Sequence, residues 1–332
     1  MINVLVTGVG SLIGQGLLRA LKSSALSCCI TGTDYFAHAV GLYWVDRGYI
    51  LPDLLAPGVT GRAWLAEIVR IIGERRIDVV LVGLDFEVAI FAENRRIIEE
   101  QTGAKVIVAT SEAVAICKDK YRTALFLQES GFLFPDSCLP QDIETFLERR
   151  AFPLVVKPRA GFRSRDLFVV RDRKELAEAM SRCPDPVVQE QVGVCEAEYT
   201  CGTVCQGGES LSVIALRRDL KDGNTIRAVF DEQCLGLHEF VRRAGLALRS
   251  DGPFNFQLRL TERGPVVFEI NPRFSGTTYM RTFFGVNEVE VLINKVHFGK
   301  DPVPVEWSSG VALRYYDDQF IPMDQFRKWS MT

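Results

Sequence analysis

The chain has 332 residues, 47% of them hydrophobic and 24% charged, which is apolar material enough for two or three structural units with buried cores. Its net charge of −3 comes from acidic and basic residues mixed along the chain, so neither a nucleic-acid partner nor a membrane surface is expected. No apolar run is long enough for a bilayer, no basic segment precedes an apolar core at the N-terminus, and the nine cysteines are scattered and odd in number; a cytoplasmic protein with reduced thiols is expected.

In chain order, "INVLVTGVG" followed by "LIGQGLLRALKSS" reads as strand, glycine turn and helix. "CCITGTDYF" gives a second strand ending at Asp34, and "RGYILP" a third. The helix "RAWLAEIVRIIGERR" leads into the strand "IDVVLVG", and the helix "EVAIFAENRRIIEEQTG" into "AKVIVAT". Strands alternating with helices indicate a parallel sheet covered on both faces, over roughly residues 1–112. The rhythm then changes. "EAVAICKDKYRTALFLQESG" reads as one helix, "FPLVVKPRAGFRSRDLFVVRD" as two strands around a polar loop, and "KELAEAMSRC" as a short helix. "PVVQEQV", "EAEYTCGTVCQGG", "SLSVIALRRDL" and "TIRAVF" are closely spaced strands, and "EQCLGLHEFVRRAGL" is a helix. "DGPFNFQLRLTERGPVVFEINPRF" reads as a hairpin, and a last helix covers about Val286 to His297. The second part is therefore α+β with mostly antiparallel sheet. "LRYYDDQFI" near the end is expected to pack back on the core.

Two places carry chemistry. Gly8, Gly10 and Gly14 give G-x-G-x-x-x-G, one residue longer than a dinucleotide fingerprint, with Asp34 ending the second strand as a ribose-binding acid would. The same glycines fit a tight reversal between strand and helix, and a helix N-terminus there has N–H groups to offer an anion. The second place is the hairpin. Glu269 and Asn271 are two apart on one strand and so share a face, and Gln257 joins them if the hairpin is in register. Such an oxygen set suits Mg²⁺, which keeps substrate phosphates in its shell. Pro272 ends the ladder, and Arg273 stands beside the metal, where a guanidinium holds phosphate or carboxylate.

With "EINPRFSG" in place the chain resembles the ATP-grasp superfamily, specifically the nucleotide-binding half of carbamoyl-phosphate synthase large-chain-like proteins and the related amino-acid ligases. The resemblance covers essentially the whole chain, and its last motif is the most specific. It implies an N-terminal parallel α/β (pre-ATP-grasp) domain over 1–112, a small ATP-grasp subdomain with a phosphate flap over 113–190, and a large subdomain with the metal and substrate site over 191–332. It makes Gln257, Glu269 and Asn271 the magnesium ligands and puts Arg273 near the transferred phosphate. Lys120 in "CKDKYRT" matches a basic residue on nucleotide phosphate, and Lys157 in "PLVVKPR" the strand lysine that reaches the α/β-phosphates. Glu190 and Val192 match the hinge whose backbone meets adenine, and Glu198 matches the ribose-binding carboxylate. Read from the residues alone, Lys120, Glu190 and Glu198 also fit solvated positions. The family's flap is rich in glycine and serine. Here it reads "RAGFRSRD", so Arg163 or Arg165 either supplies side-chain contacts to phosphate or is solvated.

The function this resemblance implies is a ligase that uses ATP and Mg²⁺, with Mn²⁺ as the alternative ion. It would join a small-molecule carboxylate to an amine or ammonia through an acyl phosphate, releasing ADP and phosphate. Related proteins often dimerise, so a homodimer is one expectation. Three alternatives stand beside it: a carbamoyl-phosphate synthase-type reaction, an NAD-dependent oxidoreductase resting on the opening glycines and Asp34, and a non-catalytic nucleotide sensor. Cys195, Cys201 and Cys205 lack the paired spacing of a zinc site. Of the pair Arg217 and Arg218, one side chain is free by pattern to face the substrate carboxylate.

Overall fold

In the first third of the chain, short apolar runs alternate with helical patterns, and the fold follows them. The strands are β1 (Ile2–Val6), β2 (Cys28–Asp34), β3 (Arg47–Ile50), β4 (Val79–Leu81) and β5 (Lys105–Ile107). All pair in parallel, in the order β3-β2-β1-β4-β5. Successive side chains go to opposite faces. Leu5 and Val80 enter a core with Trp64, Ile68 and Phe91 of the helices Gly61–Arg75 and Val88–Thr102. Val4, Val6, Val79 and Leu81 enter another with Leu17, Leu18 and Leu21 of the helix Leu12–Lys22. Strand order reverses between β1 and β4. In open α/β sheets the crevice beyond the carboxyl ends at that reversal is where ligands sit.

The computed structural model describes residues 1–161, 166–193 and 197–330, with side chains up to residue 327. Arg163, Arg165 and Cys195 lie outside the described residues. A four-stranded antiparallel sheet, ordered β6-β9-β7-β8, is built from β6 (Ser137–Cys138), β7 (Leu154–Pro158), β8 (Phe168–Val170) and β9 (Pro186–Glu190). It has a small core of its own, in which Val156 and Val188 meet Phe146 and Leu176 of two short helices.

A six-stranded antiparallel sheet then runs β14-β13-β10-β11-β12-β15. Its strands are β10 (Glu198–Gln206), β11 (Glu209–Lys221), β12 (Asn224–Phe230), β13 (Gly252–Thr261), β14 (Gly264–Asn271) and β15 (Gly310–Leu313). One face is apolar: Phe254, Phe256 and Leu258 of β13 share a core with Val241 and Ala244 of the helix His238–Ala247. The first sheet and this one are fixed to each other. Leu17, Leu18 and Leu21 share their core with Phe274, Val289, Leu292 and Ile293, and Asn287 Nδ2 donates to the Ala20 carbonyl at 2.9 Å. A parallel α/β unit followed by largely antiparallel sheets is the expected fold class. No helix among the described residues is long and apolar enough to cross a membrane.

Three local expectations need correction. The stretch 112–131 is two helices, Ser111–Lys118 and Lys120–Glu129, because Asp119 leaves helical geometry to cap the second. Its carboxylate accepts from the Tyr121 and Arg122 N–H groups at 2.9 and 3.2 Å and is held by Arg159 at 2.5 Å, a partner no local pattern announces. The stretch 232–246 likewise breaks, into Glu232–Leu235 and His238–Ala247. "LRYYDDQFI" packs back only in part: Arg314 donates to the Thr225 and Gly276 carbonyls and Gln319 accepts from Trp44, but Tyr316 is 100% and Phe320 88% exposed. Its first residue ends β15, the edge strand beyond β12, and apolar composition does not specify a layer to cover an edge.

Candidate active site

The other face of the six-stranded sheet is polar because β13 alternates. Between the buried Phe254, Phe256 and Leu258 stand Asn255, Gln257 and Arg259. Asn255 lies opposite Asn271 and Gln257 opposite Glu269, so the hairpin is in the register that brings Gln257, Glu269 and Asn271 together. Glu269 Oε1 accepts from Asn271 Nδ2 at 3.0 Å and from Gln257 Nε2 at 3.5 Å, while its Oε2 has no hydrogen-bond donor among the described residues. Glu269 Oε2 is an open hard donor that fits a Mg²⁺ completing its shell with phosphate and water. Both carboxamides turn NH₂ to Glu269 and oxygen to a guanidinium, Gln257 Oε1 to Arg218 at 2.8 Å and Asn271 Oδ1 to Arg273 at 3.1 Å, so these oxygens join the metal shell only if those bonds are given up.

Register slips after Gln257: Leu258 pairs with Val267, leaving Phe268 as the extra residue of a bulge. The bulge aims the Phe268 ring at two cations, with Lys157 Nζ 5.9 Å and Arg259 Cζ 5.6 Å from its centroid. Glu198 is buried between two guanidiniums. Its Oε1 accepts from Arg218 at 2.7 Å and its Oε2 from Arg259 at 3.1 Å. Arg218 also donates to Gln257 Oε1 at 2.8 Å, and Arg259 to the Val192 carbonyl at 2.9 Å. Glu198 thus orients both arginines, and through them Gln257 and the Val192 backbone.

Lys157 is 7% exposed on β7, and its ammonium has no hydrogen-bond or ion-pair partner among the described residues. Burial pushes its pKa down to about 8; Glu269 pulls upward, and Lys120 and Arg259 push down further. Burial lowers Lys120 too, against the upward pull of Glu269 and Asp119. Both lysines therefore sit within reach of the Glu269 charge, desolvated and short of counter-charge, a state that an incoming phosphate relieves. The sign for stability follows. Between about pH 8 and the ordinary lysine range the unfolded chain binds the extra proton, so the unliganded fold gains stability as pH rises, by up to about 3 kcal/mol. Affinity for a phosphate group is expected to run the other way, because the neutral amine loses its attraction for it. Lys157→Met is expected to remove the stability gain and to weaken Mg-ADP binding about tenfold to 100-fold, the worth of a charge-assisted hydrogen bond. Lys157→Arg is expected to reduce the pH dependence of binding to the part that Lys120 contributes. Calorimetric titrations at pH 7 and 9.5 check both, and equal pH slopes in wild type and Lys157→Met would contradict them.

Arg273 follows β14 and reaches the first sheet. Its Nε donates to Asp85 Oδ1 at 2.5 Å, its Nη2 to Asn271 Oδ1 at 3.1 Å and its Nη1 to the Phe274 carbonyl at 2.9 Å. A cavity opens between the two sheets at the β1/β4 reversal, lined by Ser11 and Asp85 on one side and by Arg218, Gln257, Glu269 and Arg273 on the other. Beneath it, the Ser11 hydroxyl donates to the Gly83 carbonyl at 2.8 Å, Gly83 N–H donates to Thr7 Oγ1 at 3.1 Å, and that hydroxyl donates to Glu87. Burial pushes Glu87 up to about 8, against the Thr7 hydrogen bond that lowers it, and the Asp34 charge adds to the rise, so the acid is neutral at pH 7.

The opening glycines serve packing. Asp34 Oδ2 accepts from Gly10 N–H at 2.7 Å and Oδ1 from Tyr35 N–H at 2.8 Å, so both oxygens are taken. A Cβ at Gly14 would lie 2.1 Å from the Gly8 carbonyl oxygen, and one at Gly41 2.1 Å from that of Val9: backbone fills the space on both sides of the turn.

Of the residues singled out in the sequence, Gln257, Glu269, Asn271, Arg273, Lys120 and Lys157 converge on one region, with Glu198 and Val192 tied to it through arginines. Glu190 points elsewhere, to Arg263 at 3.1 Å and Arg150 at 3.4 Å. Arg217 faces Asp231 at 3.5 Å, leaving Arg218 as the member of that pair in the cavity. Sequence reasoning missed Asp85, Asn255, Arg259 and Phe268. The strand alternation that placed Gln257 extends to Asn255 and Arg259, whereas no local signal gives the bulge at Phe268.

Known proteins share this architecture. Residues 182–319 match the family described as ATP-grasp in the biosynthetic pathway with Ter operon. A carbamoyl-phosphate synthase of Methanobrevibacter smithii is 26% identical over 231 residues, which cover 65% of this chain and 62% of that protein. The biotin carboxylase domain of Hydrogenobacter thermophilus 2-oxoglutarate carboxylase, solved with Mg-ADP, ADP and bicarbonate, superposes with a TM-score of 0.71 at 16% identity, covering 93% of this chain and 73% of that one. The L-amino acid ligase of Bacillus licheniformis gives 0.66 at 20% identity, covering 89% and 74%.

Proposed function

We propose that this chain, whose fold is like that of ATP-dependent carboxylases and ligases, is an ATP- and Mg²⁺-dependent ligase that activates a small-molecule carboxylate as an acyl phosphate and transfers it to an amine or ammonia. The observation that carries this reading is the single polar sheet face on which Gln257, Glu269, Asn271 and Arg273 converge, with two under-compensated lysines beside it.

In this reading residues 1–112, 113–190 and 191–332 are the pre-ATP-grasp domain and the two ATP-grasp subdomains. Lys120 and Lys157 hold the nucleotide phosphates, and the Val192 backbone with Glu190 forms the adenine hinge. Phe268 offers the base an aromatic face. Glu198 serves the ribose end of the site by holding Arg218 and Arg259 in place. Gln257, Glu269 and Asn271 hold Mg²⁺, which when bound supplies charge neutralisation on the transferring phosphate. Arg273 stabilises the charge that develops as the carboxylate oxygen attacks the γ-phosphorus and ADP leaves. The amine then attacks the acyl carbon, expelling phosphate. No nucleophilic side chain takes part, so the work is positioning and electrostatics.

Mg-ADP at a hundredfold excess over its Kd is expected to stabilise the fold by about 2.7 kcal/mol, visible as a rise in Tm, whereas NADH leaves Tm unchanged. A rise with NADH and none with Mg-ADP would replace the ligase reading with the oxidoreductase one.

A further inference from the structure

The cavity between the two sheets holds a donor that nothing in the protein uses. Asn255 is 2% exposed and lines the cavity. Its Oδ1 accepts from Arg281 Nη2 at 2.5 Å and from Thr200 Oγ1 at 2.8 Å. A guanidinium only donates, so the carboxamide cannot be flipped: oxygen faces Arg281, and the NH₂ faces the other way. Nδ2 has no acceptor among the described residues. Arg281 is itself immobile, because both Glu288 oxygens accept from its Nη1 at 2.7 Å and the pair is 1% exposed at each end.

The residue is buried but this amide opens onto the cavity, and a donor held in one orientation without a protein acceptor is what a binding site presents to a ligand oxygen. The opposite wall supports an anion. It is the N-terminus of the 11-residue helix Leu12–Lys22, where Ser11 caps Gly14 N–H at 2.8 Å and the Leu12 and Ile13 N–H groups have no acceptor among the described residues.

We propose that this cavity receives the acid substrate and that Asn255 Nδ2 donates to a carboxylate oxygen of that acid. The inference rests on the ligase reading above and assigns a substrate-binding residue to it. Arg281 and Glu288 are positioning residues that act through Asn255.

Asn255→Asp is the direct test. It keeps the shape, keeps an acceptor for Arg281 and Thr200, and replaces the donor with an oxygen that repels a carboxylate. Acid-dependent ADP release is measured across amino acids, dipeptides, simple carboxylic acids and bicarbonate, with Mg-ADP affinity measured by calorimetry on the same preparations. The expected result is a KM for the acid raised at least tenfold in Asn255→Asp, with Mg-ADP affinity within twofold of wild type. An acid KM within twofold of wild type, with Mg-ADP affinity also retained, overturns the assignment of Asn255 and leaves the ligase reading standing. Parallel loss of acid and Mg-ADP binding overturns it too, by making the residue structural. Failure of the wild type to bind Mg-ADP, or to release ADP with any acid, overturns the ligase reading itself.

Discussion

Gly202→Ala is expected to lower stability by about 3–5 kcal/mol, the usual cost of breaking a buried ion pair from one side. Gly202 lies on β10 between β11 and β13, so the strand has neighbours on both sides and little freedom to shift. A Cβ there would lie 2.0 Å from Arg281 Nη1 and 2.1 Å from Glu288 Oε1. Those atoms belong to flexible side chains, but both side chains are fully buried and locked to each other and to Asn255. Making room for one methyl group therefore means parting the pair. An ordinary glycine-to-alanine change at a compatible position stabilises by restricting the unfolded chain, so the sign itself is diagnostic. Urea unfolding reads the effect as a lower midpoint at unchanged slope. A loss below about 1 kcal/mol would mean that the pair has slack that the packing around it does not suggest.

Glu269→Ala is expected to reduce acid-dependent ADP release at least about a hundredfold, in the range measured for removal of one preorganised electrostatic element from an active site. Glu269 is the one carboxylate of the proposed metal-binding set, flanked by Gln257 and Asn271. Its removal also takes from Lys157 the charge that pulls its pKa upward and leaves Lys120 with Asp119 alone in that role among the charges named above. Nucleotide affinity at high Mg²⁺ is expected to change less than turnover, because the lysines still hold phosphate. The two readouts, run on one preparation, check this. Equal turnover in wild type and variant would contradict the role.

How much of this was readable in the sequence depended on periodicity. The first sheet was legible because "INVLV", "CCITGTD" and "IDVVLVG" are apolar runs at parallel-strand spacing, bounded by glycine or aspartate. The hairpin of β13 and β14 was legible in part: alternation puts Glu269 and Asn271 on one face, but register counted from the short turn would set Gln257 opposite Phe268, and only the bulge there brings it opposite Glu269. What escaped is non-local. Asp119 breaks a helix because Arg159, 40 residues away, meets its carboxylate. Asp85 enters the site because Arg273, 188 residues later, reaches it. Asn255 gains its meaning from an ion pair between two later helices, Thr278–Thr282 and Glu288–Phe298, and the clamp that Arg218 and Arg259 form on Glu198 spans three strands. Each of these is a polar partnership set by topology, and topology is what a linear pattern encodes least.

The central claim is that a carboxylate is activated by ATP in this cavity. The most direct measurement is acyl hydroxamate formed by the wild-type protein with Mg-ATP, the acid panel and hydroxylamine, quantified against ADP and repeated with Glu269→Ala. The account predicts that at least one acid yields hydroxamate in step with ADP, and that both products fall together in the variant. ADP release that ignores the acid, or that proceeds with no hydroxamate captured, would contradict it.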